Sequence, residues 1–134
     1  MASYADRTDL ARVGVRADVT ADVDPDELDD ALAKRTSFAN GYLSKRYTLP
    51  LTEWGDDLRL CVAQLAAWDV MSANVGVQPD QVGDTTWLSR FEQALAWLRD
   101  VAASRVDPDG IVDSSSPSRA RVGPIAYSDE PRGY

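Results

Sequence analysis

The sequence predicts an all-α protein with a compact four-helix domain and an extended, largely irregular C-terminal arm. Three long stretches between residues 24 and 102 place apolar residues at helical spacing, and turn or capping residues bound each stretch. The composition changes after Arg105 to a Pro- and Ser-rich sequence. A chain of 134 residues is long enough to bury one core. We therefore place a helical domain at residues 1–106 and an arm at residues 107–134.

The first predicted helix covers residues 6–13. Leu10 and Val13 share one face, and Gly14 follows as a residue that readily adopts the left-handed conformation of a helix end. Residues 18–23 are predicted to be an acidic connector. The next helix has the strongest start signal, because Asp24-Pro25-Asp26-Glu27 supplies an N-cap, a proline at the first helical position and a glutamate three residues after the cap.

This second predicted helix carries an apolar stripe that continues to Leu43, with Arg35 as its one polar interruption. It is expected to end near residue 46 or 47. Arg46 lies where a cation stabilises the negative end of a helix, and Pro50 disfavours helical geometry at Leu49. An extended link is therefore predicted before the third helix.

The third predicted helix begins near residue 52 or 53 and runs to about residue 73. Its apolar residues wrap around more than one face, as in a central helix or in one that presents a second face to a partner. Cys61 lies in its apolar run and is predicted to be a small buried side chain without reactivity. After a loop at residues 76–83, Asp84 is expected to cap a fourth helix, with Leu95 central in its buried face. That face consists of Trp87, Leu88, Phe91, Ala94, Leu95, Leu98, Val101 and Ala102.

Composition excludes several classes of function. The formal charge of −8 disfavours binding to nucleic acid or to an anionic membrane. With no histidine and one cysteine, the chain cannot form a Cys/His zinc site, a Cys–His dyad or a Ser–His–Asp triad. The first residues lack the basic and apolar regions of a signal peptide, and no stretch reaches the about 18 apolar residues of a membrane span. We expect a protein made in the cytoplasm that is not an enzyme and has no cofactor.

One acidic stretch has the spacing of a calcium-binding loop, with Asp22, Asp24 and Asp26 at alternate positions. The match fails at position six, where Glu27 replaces glycine, and at position twelve, where Ala33 replaces glutamate. A solvated helix N-terminus is therefore favoured, and no metal site is assigned.

Asp69 is the one helical carboxylate in a strongly apolar context. Burial could raise its pKa and make it a base, but pairing with an arginine such as Arg59, Arg90 or Arg99, or simple exposure to solvent, is the commoner outcome. We assign no catalytic residue, and a carboxylate-dependent hydrolase remains the third choice of function.

Four short motifs follow one another along the chain, namely Tyr4-Ala5, Asp9-Leu10, Gly41-Tyr42-Leu43 and Arg46-Tyr47-Thr48-Leu49-Pro50-Leu51. In this order they resemble the small α-helical head–tail adaptor proteins of tailed bacteriophages, the Mu-like head-completion family. The resemblance covers residues 1–106 and does not extend beyond them.

The resemblance implies a structural virion protein of a phage or prophage, made in the host cytoplasm and placed at the neck. Such a protein forms a ring, commonly a dodecamer, that joins the portal to the tail and extends the DNA channel. Its partners would be the portal protein, neighbouring copies and a downstream neck or tail protein, with no sequence-specific nucleic acid and no membrane. The alternative is a small acidic helical regulatory or protein-binding module, such as a DNA mimic.

Candidate interface residues come from the link, the last helix and the arm. Trp68 and Trp87 are predicted to lie in the core, whereas Trp97 lies on the side away from Leu95 and Leu98 and is a candidate for subunit contact. The arm could bind as an extended strand, with its arginines pairing with carboxylates of a neighbour. The predicted interface residues are Tyr42, Lys45, Arg46, Tyr47, Leu49, Trp97, Arg119, Arg121, Val122, Ile125 and Tyr127.

Overall fold

Five α-helices lie within residues 3–74 and 82–115, the part of the chain that the computed structural model describes. Helix α4 packs against α1, α3 and α5, and α3 also packs against α5. The predicted all-α fold is confirmed, and α4 is the central helix that its apolar faces indicate. The helices are α1 Arg7–Arg12, α2 Ala17–Asp22, α3 Pro25–Leu43, α4 Asp56–Asn74 and α5 Val82–Ala102. Within the described ranges, none of them combines the length and hydropathy that crossing a bilayer requires.

The prediction of an acidic connector at residues 18–23 is wrong, because most of these residues form the short helix α2. No residue of α2 is fully buried, and no side chain caps its N-terminus. Val15 and Val23, which flank it, are both buried. Packing therefore holds the segment at its two ends. Because the buried residues lie outside α2, the sequence of α2 itself shows no apolar residues at helical spacing.

The predicted start of α3 is confirmed. The carboxylate of Asp24 accepts a hydrogen bond of 2.9 Å from the backbone N–H of Asp26, and Pro25 occupies the first turn. The helix ends at Leu43, three to four residues before the predicted end. Helical turns continue past it, since the N–H of Tyr47 donates to the carbonyl of Leu43 at 2.8 Å.

The core contains residues from every long helix. Cys61 is buried, as predicted. Trp68 and Trp87, predicted to lie in the core, are half-buried; the ring of Trp68 lies 5.4 Å from that of Phe91. The largest fully buried side chains are Leu10, Leu32, Thr36, Leu43, Leu58, Val62, Leu65, Val70, Leu98 and Val101.

Helix α5 differs from its prediction in two ways. It begins at Val82, so Asp84 lies inside the helix and is not its N-cap. Its buried face is formed by Ala94, Leu98 and Val101, whereas Leu95 is only half-buried. Apolar residues cover a wide arc of this helix, and the pattern alone does not show which part of the arc meets α4. Residues 75–81, where most of the predicted loop falls, lie outside the described part.

A pair of substitutions on α5 tests this assignment. Leu98→Ala is expected to lower the free energy of unfolding by about 2–5 kcal/mol, because its side chain is fully buried and its loss leaves a cavity. Leu95→Ala removes the same atoms from a half-buried position and should lower it clearly less. Denaturant unfolding of both variants measures the difference. Equal losses would show that the buried face is assigned wrongly.

Candidate functional site

Two segments far apart in sequence pair at the end of the bundle where α3 and α5 end and α4 begins. We name residues 44–55 the link and residues 107–115 the clasp. Glu53 and Val112 form an antiparallel bridge, with N–H to carbonyl distances of 3.0 and 3.2 Å. Further along, the N–H of Ser114 donates to the carbonyl of Thr48 at 3.0 Å. The clasp therefore binds along most of the link.

Side chains add to this backbone pairing. The carboxylate of Asp113 accepts from the N–H of Thr48 at 2.9 Å, and that of Asp57 accepts from the N–H of Asp109 at 2.7 Å. Ile111 packs against the core. The clasp is thus held by hydrogen bonds at both ends and by apolar contact between them.

A close approach of backbones fixes where the clasp crosses the start of α4. A Cβ atom placed on Gly55 would lie 2.5 Å from the carbonyl oxygen of Asp109, a distance that forces the backbone to move. Gly110, next in the clasp, has a φ of +67°, in the left-handed region that favours glycine. Both glycines are needed for the clasp to lie this close.

Arg46 connects the link to the end of α5. One guanidinium nitrogen donates to the carbonyls of Val101, at 3.3 Å, and Val106, at 2.6 Å, and another pairs with Asp107. Its side chain is 22% exposed. From the sequence, this cation was placed at the end of α3. In the structure its guanidinium binds a carbonyl in the last turn of α5, that of Val101, and one beyond the helix, that of Val106. Its predicted interface role stays a prediction, and any partner would meet a guanidinium that is already bonded.

The other predicted interface residues have different surroundings. Lys45 is exposed, whereas Tyr42, Tyr47 and Leu49 are half-buried against the core. Trp97 is half-buried and lines a groove between α4 and α5. The remaining ones lie outside the described residues and are Arg119, Arg121, Val122, Ile125 and Tyr127.

The structure brings the beginning of the predicted arm to the link. Residues 107–115, placed in the arm from the sequence, pack on the helical domain, so the boundary predicted at residue 106 falls inside a packed region. Sequence reasoning missed this pairing. A signal was present, because the turn at Asp107-Pro108-Asp109-Gly110 is followed by two β-branched residues, a pattern that favours a short returning strand.

The predicted pairing of Asp69 with an arginine is confirmed, but the partner is Arg35 and not one of the three arginines named from the sequence. The guanidinium donates to both carboxylate oxygens, at 2.6 and 2.7 Å. It also lies 5.0 Å from the ring centre of Phe38 and 5.3 Å from that of Phe91. Arg35, which interrupts the apolar stripe of α3, thus joins α3, α4 and α5.

A second ionic cluster joins α1 to α4. The buried carboxylate of Asp9 accepts from Arg12 at 3.1 Å, from Arg59 at 3.3 Å and from the N–H of Asp6 at 2.9 Å. These contacts complete the capping box of α1 and fasten it to the central helix.

The properties of two kinds of metal-binding or nucleophilic side chain also follow from the packing. Burial raises the pKa of the Cys61 thiol to about 12, so the thiol stays protonated and unreactive near neutral pH. Within the described ranges, no three acidic or cysteine side chains are grouped so that they could hold a metal ion. We take the link, the clasp and the neighbouring exposed side chains as the candidate functional site, because the pairing brings two distant segments together at one end of the bundle.

Comparison with known families agrees with the sequence motifs. The family model described as Bacteriophage Mu, Gp36 matches residues 1–123. The chain belongs to this family. The match includes all five helices, the link and the clasp, and it extends past residue 106, where the resemblance seen in the sequence ends. The predicted relation to a Mu-like phage family is thereby confirmed. No curated protein sequence matches the chain.

The packing of this Gp36-family chain makes a specific prediction at Gly55. Gly55→Ala should displace the clasp, because the new methyl group would collide with the backbone of Asp109. We expect a lower melting temperature and faster hydrogen exchange at the amide of Val112. Gly41→Ala is the matched control, since a Cβ there meets nothing within 4 Å. In the helix interior the control should be neutral or stabilising by about 0.5–1 kcal/mol. The same exchange rate at Val112 in both variants would contradict this account of the clasp.

Truncation tests whether the clasp is part of the domain. A chain ending at Val106 loses the clasp, and each lost hydrogen bond contributes about 0.5–1.5 kcal/mol to stability. It should melt well below the full chain. A chain ending at Ser115 keeps these contacts and should melt close to the full chain. If the two truncated chains had the same melting temperature, the clasp would not contribute to the stability of the fold.

Proposed function

We propose that this chain is a structural protein of the phage particle, a head–tail adaptor that joins the portal to the tail. Membership of the Mu Gp36 family supports a role in a phage. The observation that carries the proposal is the joining of the link to the clasp, because it places the start of the arm beside the exposed part of the link. One end of the bundle then offers a single continuous surface to a partner.

The physical character of this surface suits docking. Hydrogen bonds from the clasp hold the link in one conformation, so binding loses less conformational entropy than binding by a free loop. Lys45 is exposed, and Tyr47 and Leu49 are partly exposed beside it. Tyrosines are enriched at protein interfaces, and an exposed cation can pair with a partner's carboxylate.

In this proposal, copies of the chain form a ring at the virion neck, a dodecamer in the arrangement that the sequence resemblance implies. The portal protein lies on one side, and a neck or tail protein lies on the other. The net charge of −8 favours passage of DNA through such a ring, because like charge repels phosphate and prevents it from sticking. The ring needs no catalytic group.

A second candidate is a small acidic regulatory module, such as a DNA mimic. The observation that favours it is the row of exposed carboxylates in the first two turns of α3, at Asp26, Glu27, Asp29 and Asp30. Two of them have partners: Asp29 accepts from Arg7 at 2.9 and 3.0 Å, and Glu27 accepts from the side-chain amide of Asn74 at 2.8 Å. A DNA mimic would bind a basic DNA-binding protein, and that binding would not depend on the link.

The two lysines of the chain provide a matched test. Lys45 lies in the link, whereas Lys34 lies on α3; both are exposed, and replacing either with glutamate changes the net charge equally. We expect the unmodified protein and Lys34→Glu to co-sediment with tailless, DNA-filled heads that carry their portal. Lys45→Glu should bind at least about tenfold more weakly, which corresponds to about 1.4 kcal/mol.

Control samples without heads should show a monomer in sedimentation, because ring formation is expected to need the portal as a template. Failure of the unmodified protein to bind heads would overturn the adaptor function. Equal weakening by the two lysine variants would show that net charge, and not the link, controls binding.

A further inference from the structure

Residues 3–5 precede the first helix and bind both α3 and the link, and we name them the strap. Tyr4 and Ala5 are each 3% exposed, so this segment belongs to the packed domain. Two polar groups of Tyr4 are bonded to α3. Its backbone N–H donates to the hydroxyl of Thr36 at 3.0 Å, and its own hydroxyl donates to the side-chain oxygen of Asn40.

The third polar group of Tyr4 binds the link. Its backbone carbonyl accepts from the indole N–H of Trp54 at 2.9 Å, and the two rings meet edge to face with their centres 4.7 Å apart. Both interactions are directional, because a hydrogen bond depends on its angle and an aromatic pair depends on how the rings are oriented. The strap therefore fixes where Trp54 lies relative to α3.

The clasp binds the residues on either side of Trp54. Glu53 forms the antiparallel bridge with Val112, whose N–H donates to its carbonyl at 3.0 Å. Gly55 lies against the backbone of Asp109, where an added Cβ atom would collide. A shift of Trp54 would therefore move the two backbone positions at which the clasp is bound.

We propose that the strap and the clasp are coupled through Trp54, so that release of the strap from α3 loosens the clasp. Such a coupling is reciprocal, since each of two linked equilibria changes the other by the same factor. A partner that draws the strap away from α3 would alter the surface formed by the link and the clasp. A partner that stabilises the clasp would hold the strap in place. The strap is thus a control element for the candidate site, and this inference does not depend on the proposed adaptor function.

Amide hydrogen exchange in the full chain tests the coupling, because it measures the local opening of each segment. Thr36→Val removes the acceptor of the Tyr4 N–H at a position outside both the link and the clasp. Exchange should become at least about tenfold faster at the amides of Tyr4 and Val112, since a buried donor left without a partner favours release of the strap. Val70→Ala is the matched control. It truncates a buried side chain near the C-terminal end of α4, so it should lower global stability without changing local opening at these two amides.

The reverse direction is tested from the clasp. Ile111→Ala removes a clasp side chain that packs against the core, and it should speed exchange at the amide of Tyr4. The losses in free energy of unfolding caused by Thr36→Val and Ile111→Ala should be less than additive in the double variant, because each change already weakens what the other removes. The proposal is overturned if Thr36→Val leaves exchange at Val112 unchanged, or if the two losses add. Equal acceleration at Val112 in the control variant would overturn it too, because the clasp would then open only when the whole domain unfolds.

Discussion

The hydrogen bonds of the Arg46 guanidinium hold the parts of the candidate site together. The guanidinium binds the carbonyls of Val101 and Val106 and the carboxylate of Asp107, and so it fixes the end of α5, the beginning of the clasp and the link at one point. A charged donor shared among three acceptors is stronger and more directional than a neutral hydrogen bond. The same course of the chain after α5 brings Val112 into its bridge with Glu53.

The fold class, the start of α3 and the central position of α4 could be predicted, because each depends on a local pattern of capping residues or apolar spacing. Helix α2 could not, since its two buried anchors lie outside it. The partner of Asp69 was also missed. Several arginines were compatible with it, and only the packing of α3 on α4 selects Arg35. Contacts between distant segments depend on geometry that no single stretch of sequence contains.

The candidate site shows the same division. The link was identified from its motif, and the family match confirms the relation to Mu-like phage proteins. The clasp was assigned to a free arm because its Pro- and Ser-rich surroundings outweighed the two β-branched residues that pair with the link. The interface residues remain predictions. An interface is formed by two complementary surfaces, and the sequence of this chain specifies only one of them. The structure adds that the link and the clasp form one surface joined by hydrogen bonds.

The ion pair of Arg35 and Asp69 differs from the exposed ion pairs in how strongly salt screens it. Mobile ions screen exposed pairs, such as Arg16 with Asp18, whose side chains are 79% and 63% exposed. Arg35 is 17% exposed and Asp69 is 35% exposed, and the guanidinium lies 5.0 and 5.3 Å from two aromatic ring centres, so mobile ions screen this pair less than the exposed ones. High ionic strength should therefore loosen the periphery of the molecule while α3, α4 and α5 stay joined. The three long helices would then keep their geometry in concentrated salt while the outer ion pairs dissociate and re-form.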